Sequence, residues 1–260
     1  MEALVLTFTL ILARTGAFVA VLPLLGGNAT PRTVKIGLAA ALAVMYFLVL
    51  SGSATLPAVA EMGPVSWLVF GVAVGKESLL GAFLGYLMSL VLLPVRIAGD
   101  YLGQEMGLAL AAQADPSATN PSLVVSQLFQ MLAALLFFGL NGHHLFLTAL
   151  HGTFLYFPVG GSGLATMLRM GSAAAPLTAG LSSAQEWGIL LAAPVGALLF
   201  LSSIVLALIT RAAPQMNLFS IGFGLRILIG FAGLFVLMPG FLKALVRCLA
   251  HMSALLERLV

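Results

Sequence analysis

Gly142-His143-His144 and His151 are the residues most able to hold a metal ion, and His144 and His151, seven apart, share one face of a helix. No Asp, Glu or Cys stands near them, and the HxxxH and HExxH spacings are absent. They read as histidines that cap or wet a helix end at a turn. Serine chemistry is no better supported: Ser162 lies in Gly160-Gly161-Ser162-Gly163, the composition of a linker and not of the strand–turn–helix that exposes a nucleophile. Asp100 and Glu105, five apart, splay around a helix, and with Asp115 they form no plausible acid–base pair. No glycine loop with a lysine is present to cradle a phosphate. These residues describe a protein with no catalytic set, no cofactor and no metal.

Charge inside apolar sequence is the next signal. Lys76 and Glu77 sit midway along a greasy stretch, where either costs about 2.5–3.5 kcal/mol to place in hydrocarbon. As sequence neighbours they point in different directions and neutralise each other poorly. Glu77, Gly81, Gly85 and Ser89 recur every four residues, so a carboxylate stands above a ladder of small side chains. That pattern packs against protein, not lipid. Glu77 is thus a candidate buried charge, with two roles open: an ion pair to a partner helix, or a proton relay.

The third signal is an interruption between Leu93 and Pro121. Gly99, Gly103 and Gly107, four apart, would form one bare helical stripe where another backbone can approach. Arg96 and Asp100 can pair along the same helix, and Met106 flanks the stripe. Asp115-Pro116 and Asn120-Pro121 each read as an N-cap followed by proline at the first helical position. Capping explains those termini but not the small, nearly uncharged run Ala111–Pro121. In a membrane, irregular backbone is tolerated only when buried in protein or lining a watery cavity. A loop on the wall of a pore, or blocking one, meets that condition.

The elements that must position these residues follow from composition. With 61% hydrophobic and 7% charged residues among 260 and a mean hydropathy of +1.14, the chain is expected to be an all-α polytopic membrane protein. Candidate stretches are Ala3–Leu25, Ile36–Leu56, Trp67–Leu93, Leu123–Leu140, Leu145–Phe157, Trp187–Ile209 and Leu218–Leu242, the fifth short for a span. The first lacks a basic lead-in and is interrupted by Arg14, so it is expected to remain as a helix. Arg32 and Lys35 predict a cytoplasmic first loop, Glu61 an outward second one, and Lys243, Arg247 and Arg258 a cytoplasmic tail. A net charge of +3 without a basic cluster speaks against nucleic acid, and the single Cys248 excludes an intrachain disulfide. Gly, Ser and Ala between Val159 and Glu186 predict a flexible link. It would divide residues 1–158 from a helical hairpin and basic tail, 187–260.

Taken in order, the motifs resemble the FliR family of export-apparatus proteins, shared by flagella and injectisomes. The resemblance runs along nearly the whole chain. It begins with Arg14, Pro23 and Pro31-Arg32 before Lys35-Ile36-Gly37-Leu38, then Glu77 with Gly81 and Gly85. Gly99, Gln104-Glu105-Met106-Gly107 and Asp115-Pro116 follow, then Phe137, Gly142-His143-His144 and Thr153-Phe154 leading to Pro158. The last block is Arg211-Ala-Ala-Pro214-Gln215-Met216-Asn217-Leu218-Phe219-Ser220-Ile221-Gly222-Phe223. Departures are Glu105 for a second glutamine, Thr153 for serine, and Gly224 and Arg226 for proline and lysine.

The resemblance implies a non-enzymatic subunit of the type III export gate in the bacterial inner membrane, within a flagellar or injectisome basal body. A single copy would assemble with FliP-type and FliQ-type subunits into a helical ring, residues 1–158 being FliP-like and the terminal hairpin FliQ-like. An FlhB-type switch protein would wrap the entrance, rod or needle proteins would grow from the exit, and unfolded export substrates would pass through. It also implies a plug over Gly107–Pro121. Met106, Gly107, Ala111, Ala112, Gln113, Asp115 and Pro116 are the candidate closing element, and Gly81, Gly85, Gly99 and Gly103 the packing glycines. Arg211, Pro214, Gln215, Asn217 and Phe219 would form a hairpin tip that touches neighbours. The alternative is a secondary transporter with a broken-helix site, but the chain shows one interruption and no repeat.

Overall fold

A computed structural model describes residues 2–22, 30–51, 67–108, 124–161, 174–212 and 218–257. Among them the secondary structure is helical, with no strand: α1 (Glu2–Val21), α2 (Arg32–Ser51), α3 (Trp67–Ser89), α4 (Leu93–Glu105), α5 (Val124–Gly139), α6 (Gly142–Tyr156), α7 (Ala174–Ala212) and α8 (Leu218–Glu257). This is the all-α, polytopic class that the composition demanded. Five of these helices are long and apolar enough to cross a membrane, or up to six if α5 and α6 count as one bent span.

Residues divide into two compact units, one holding α1, α2, α3 and α6 and the other α4, α5 and most of α7 and α8. In the first, α1 packs on α3 and α2. Leu10, Ile11 and Phe18 of α1 and Leu84 and Met88 of α3 are buried. Apolar side chains alone would not select this crossing in lipid, where tails are as greasy as leucine. The glycine ladder does. A Cβ at Gly81 would overlap the backbone carbonyl of Arg14, and one at Gly85 would lie 2.8 Å from the Phe18 carbonyl oxygen. In the second unit α4 packs on α5 the same way, a Cβ at Gly99 meeting Ser126 Cα at 2.5 Å.

Several boundaries differ from the expected ones. α4 opens with proline in its first turn and stops at Glu105, with Gly107 at φ 80° and its N–H donating to the Gln104 carbonyl at 2.9 Å. Gly107 is therefore not a third member of the helical stripe. It terminates the helix in the left-handed conformation that glycine adopts without cost. The fourth and fifth stretches form one bent pair, turning by 73° at Leu140-Asn141, where Asn141 takes φ 59°. The link expected over 159–186 is not one loop. Val159–Gly161 is an ordered turn, residues 162–173 lie outside the described residues, and α7 is already helical from Ala174. Alanine is the best helix former, so an Ala-rich run without internal glycine pairs extends a helix as readily as it makes a linker. The tail after Leu242 likewise continues α8 to Glu257.

The close crossing yields a direct test. Gly81→Ala is expected to lower the melting temperature of the detergent-purified protein, at a cost of about 2–3 kcal/mol because backbone must move. Gly75→Ala, on the same helix with nothing within 4 Å of its Cβ, should be neutral or stabilise by about 0.5–1 kcal/mol. Equal melting of the Gly81 variant and wild type would refute the crossing.

Candidate functional site

Two arrangements stand out, one in each unit. In the first unit Arg14 is 1% exposed and Glu77 is 3% exposed, and their side chains meet with Nε 2.6 Å from Oε2. The remaining valences are met around them. Arg14 donates from its two terminal nitrogens to the carbonyls of Thr153 and Phe157, each at 2.9 Å, and the Gly160 N–H donates to Glu77 Oε1 at 2.9 Å. The guanidinium also lies over the Phe154 ring, 4.5 Å from its centroid. Thr153 and Phe157 close α6, so the arginine caps a helix C-terminus where the dipole favours a cation, sharing the Thr153 carbonyl with the Phe157 N–H. Gly160 at φ 78° lets the following turn aim its N–H at the carboxylate.

Glu77 is thus half of a buried, hydrogen-bonded ion pair joining α1, α3 and the end of α6. The Glu77 signal was visible in the sequence, but its partner was not assigned. One clue was available: Arg14 and Glu77 are opposite charges inside the first and third long apolar stretches. The candidate histidines lie elsewhere along α6, with His143 and His144 in its first turn. His143 and His144 rings lie 4.4 Å apart, and His151 stacks on Tyr46 at 6.0 Å. Among the described residues no group of three or more His, Cys, Asp or Glu could hold a metal.

In the second unit the interest lies where α4 ends. Met106 is fully buried, and a Cβ at Gly230 of α8 would fall 2.6–2.8 Å from its Cε, Cγ and Sδ. The thioether therefore lies flat against α8 backbone. The Phe223 ring covers the next position, 3.0 Å from where a Cβ at Gly107 would be. The root of the central segment is held by α8, a contact the sequence reading missed although Gly222, Gly224, Gly230 and Gly233 marked small residues there. Gly99 packs on α5, and Gly103 beside it is buried. Arg96 and Asp100 sit 3.7 Å apart with exposed side chains, a pair of little energetic weight.

Ala111, Ala112, Gln113, Asp115 and Pro116 lie outside the described residues, as do Pro214, Gln215 and Asn217. Arg211 is exposed in the last turn of α7, and Phe219 falls in the first turn of α8.

Comparison with known proteins resolves what such an apolar, ion-paired helical chain is. The family described as bacterial export proteins, family 1, matches residues 5–252. The chain belongs to that family. The flagellar biosynthetic protein FliR of Escherichia coli (strain K12) is 33% identical over 228 residues, covering 88% of this chain and 82% of the relative. FliR of Bacillus subtilis (strain 168) is 29% identical over 89% of this chain and 85% of its own. FliR of Aquifex aeolicus (strain VF5) is 28% identical over 92% and 87%. As a family member the chain is an export protein with membrane-crossing helices, and the match includes Arg14, Glu77 and Met106.

A buried pair is costly to break and less costly to replace. Glu77→Leu and Arg14→Met should each destabilise by about 3–5 kcal/mol, because each leaves its partner's charge buried and uncompensated. Arg14→Met with Glu77→Leu should lose clearly less than the sum of the two single variants. Thermal unfolding of the three purified variants decides it, and strict additivity would argue against the pair.

Proposed function

We propose that this chain is a non-enzymatic subunit of the flagellar protein export gate in the bacterial inner membrane, closing a conduit for unfolded polypeptides. The observation that carries the reading is family membership over residues 5–252, with relatives that are flagellar biosynthetic proteins. In this reading residues 1–158 act as a FliP-like part and 187–260 as a FliQ-like hairpin, assembling with FliP-type and FliQ-type subunits. An FlhB-type switch protein docks at the entrance and rod proteins at the exit.

The physics supports the assignment of the closing element to Ala111, Ala112, Gln113, Asp115 and Pro116, with Met106 and Gly107 at its root. A gate for unfolded chains must exclude ions when idle and yield without specific chemistry when a substrate arrives. Small, nearly uncharged residues make few contacts and are displaced at low cost. Their root must not follow them. The packing of Met106 on Gly230 and of Gly107 under Phe223 supplies such an anchor, and a thioether fills an irregular gap without polar demands. Arg211 and Phe219, with Pro214, Gln215 and Asn217 between them, remain the proposed tip that touches neighbouring subunits.

The test is ion leak through cells expressing this chain with its FliP-type and FliQ-type partners. Deleting Ala111–Ser117 is expected to make cells leaky to sodium or protons while the complex still assembles. An assembled complex that stays tight after the deletion would refute the closing role.

A further inference from the structure

Lys76 is a charge inside the apolar run of α3 that no described residue neutralises. Its sequence neighbour Glu77 spends one carboxylate oxygen on Arg14 and the other on the Gly160 N–H, and that pair is net neutral. Lys76 is half-buried and makes no ion pair or hydrogen bond to any described residue. It lies instead on the wall of a half-open cavity of about 300 Å3, between one face of α3 and the Gly160-Gly161 turn. Glu77, already held by Arg14 and Gly160, also lines it, and the remaining wall on α3 is apolar: Leu68, Val69, Val72 and Ala73. Leu68 is 76% exposed and Val72 51%, large values for a face this greasy around a lone ammonium.

We infer that this cavity is a docking site for an apolar helix of a neighbouring export-apparatus subunit, one carrying a single carboxylate that pairs with Lys76. Charge and depth select that occupant. A cation in an apolar setting must be paired or wetted, and within membrane-crossing helices such residues pair with opposite charges. A lipid phosphate would serve only near a helix end. Lys76 lies about 13 Å from the start of α3 and about 20 Å from its end along the axis, which places it nearer the middle. The groove follows α3 for about two and a half turns, the length over which a crossing helix makes contact, and its volume suits one or two side chains. Glu77 cannot substitute for the missing partner because Arg14 already holds it, so Lys76 is left to recognise a carboxylate from outside. Burying such a pair fixes register and excludes partners without the charge, the selectivity a multi-subunit assembly needs.

The inference rests on the export-gate reading, and the test separates the two. This chain is tagged and purified from cells that co-express the FliP-type and FliQ-type subunits, and the recovery of each is measured against the amount of tagged chain in the membrane. Wild type and K76R are expected to recover the partners. K76M and K76E should recover at least about tenfold less of one of them, since truncating a buried charge partner is among the costlier interface changes. Both variants should reach the membrane normally, because Lys76 bonds to nothing described in its own chain. Reversing one acidic residue of that partner to lysine should restore recovery with K76E. Recovery of K76M and K76E equal to wild type would overturn the inference. So would rescue of K76E by Glu61→Lys in this same chain, or loss of bound anionic phospholipid from K76M with subunit recovery unchanged. Failure of the wild-type chain to recover any partner would instead overturn the export-gate reading, and this inference with it.

Discussion

Taking an arginine and a glutamate out of water costs several kcal/mol per ion after relaxation, and their attraction offsets that only when every remaining donor and acceptor is also met. Arg14 and Glu77 satisfy the condition by recruiting backbone: two carbonyls at the end of α6 and one N–H from the turn that follows. This requirement organises the first unit. It ties together residues near positions 14, 77 and 153–160, which nothing in local sequence would associate. It also sets the register in which Gly81 and Gly85 face α1, because the same helix face that carries Glu77 carries them one and two turns later. Removing the charge would therefore disturb more than one contact, since the glycines gain from close approach only if the helices cross where the pair holds them.

The second unit solves the same problem by other means. Its exposed Arg96–Asp100 pair is too wet to specify anything. Close approach is instead made at Gly99 on Ser126, at Gly188 on Ile97 and at Gly230 on Met106. These contacts depend on the absence of a side chain on one partner and on shape in the other. The contrast has a functional consequence. An ion pair with all valences met is stiff and has one good geometry. A methionine lying on a glycine is held by dispersion over many atoms, each contact small, and it can re-form after displacement. The chain thus places its rigid lock in one unit and its softer packing at the root of the segment proposed to move.

Reading the sequence recovered what depends on local pattern. Apolar stretches gave the helices, and the four-residue spacing of Glu77, Gly81 and Gly85 gave the packed face of α3. What stayed hidden depended on distant residues. The partner of Glu77 was Arg14, noted only as an interruption in an apolar run, because opposite charges in two apolar runs are a weak signal for pairing positions 63 residues apart. Gly107 was read as a continuation of a helical stripe, since its spacing from Gly99 and Gly103 suits a helix as well as a terminator. The ambiguity is physical: glycine serves both for close approach and for left-handed backbone. The Ala/Ser-rich run before Trp187 failed for a related reason, as that composition suits a linker until neighbouring packing makes it a helix. Ala184 and Leu191 are buried in that helix.

The lengths of α7 and α8 constrain how such a chain can exist. Their apolar windows run over 36 and 33 residues, about 54 and 50 Å at 1.5 Å per residue, against about 30 Å of hydrocarbon. Tilt alone would have to exceed about 50° to immerse them, beyond the roughly 0–40° that membrane helices show. Large apolar side chains are exposed along both, from Ile189 through Phe200 to Leu208 and from Leu228 through Phe235 to Val236. Lipid can cover only part of that surface, and water would cover the remainder at high cost. In the proposed export-gate reading, neighbouring subunits cover it. Apolar helices of this length, each with a proline inside it, Pro194 and Pro239, suit the proposed reading of the chain as one subunit among others. Two of the few charges, Arg14 and Glu77, lock the first unit to itself, and Lys76 is the one proposed to choose a neighbour.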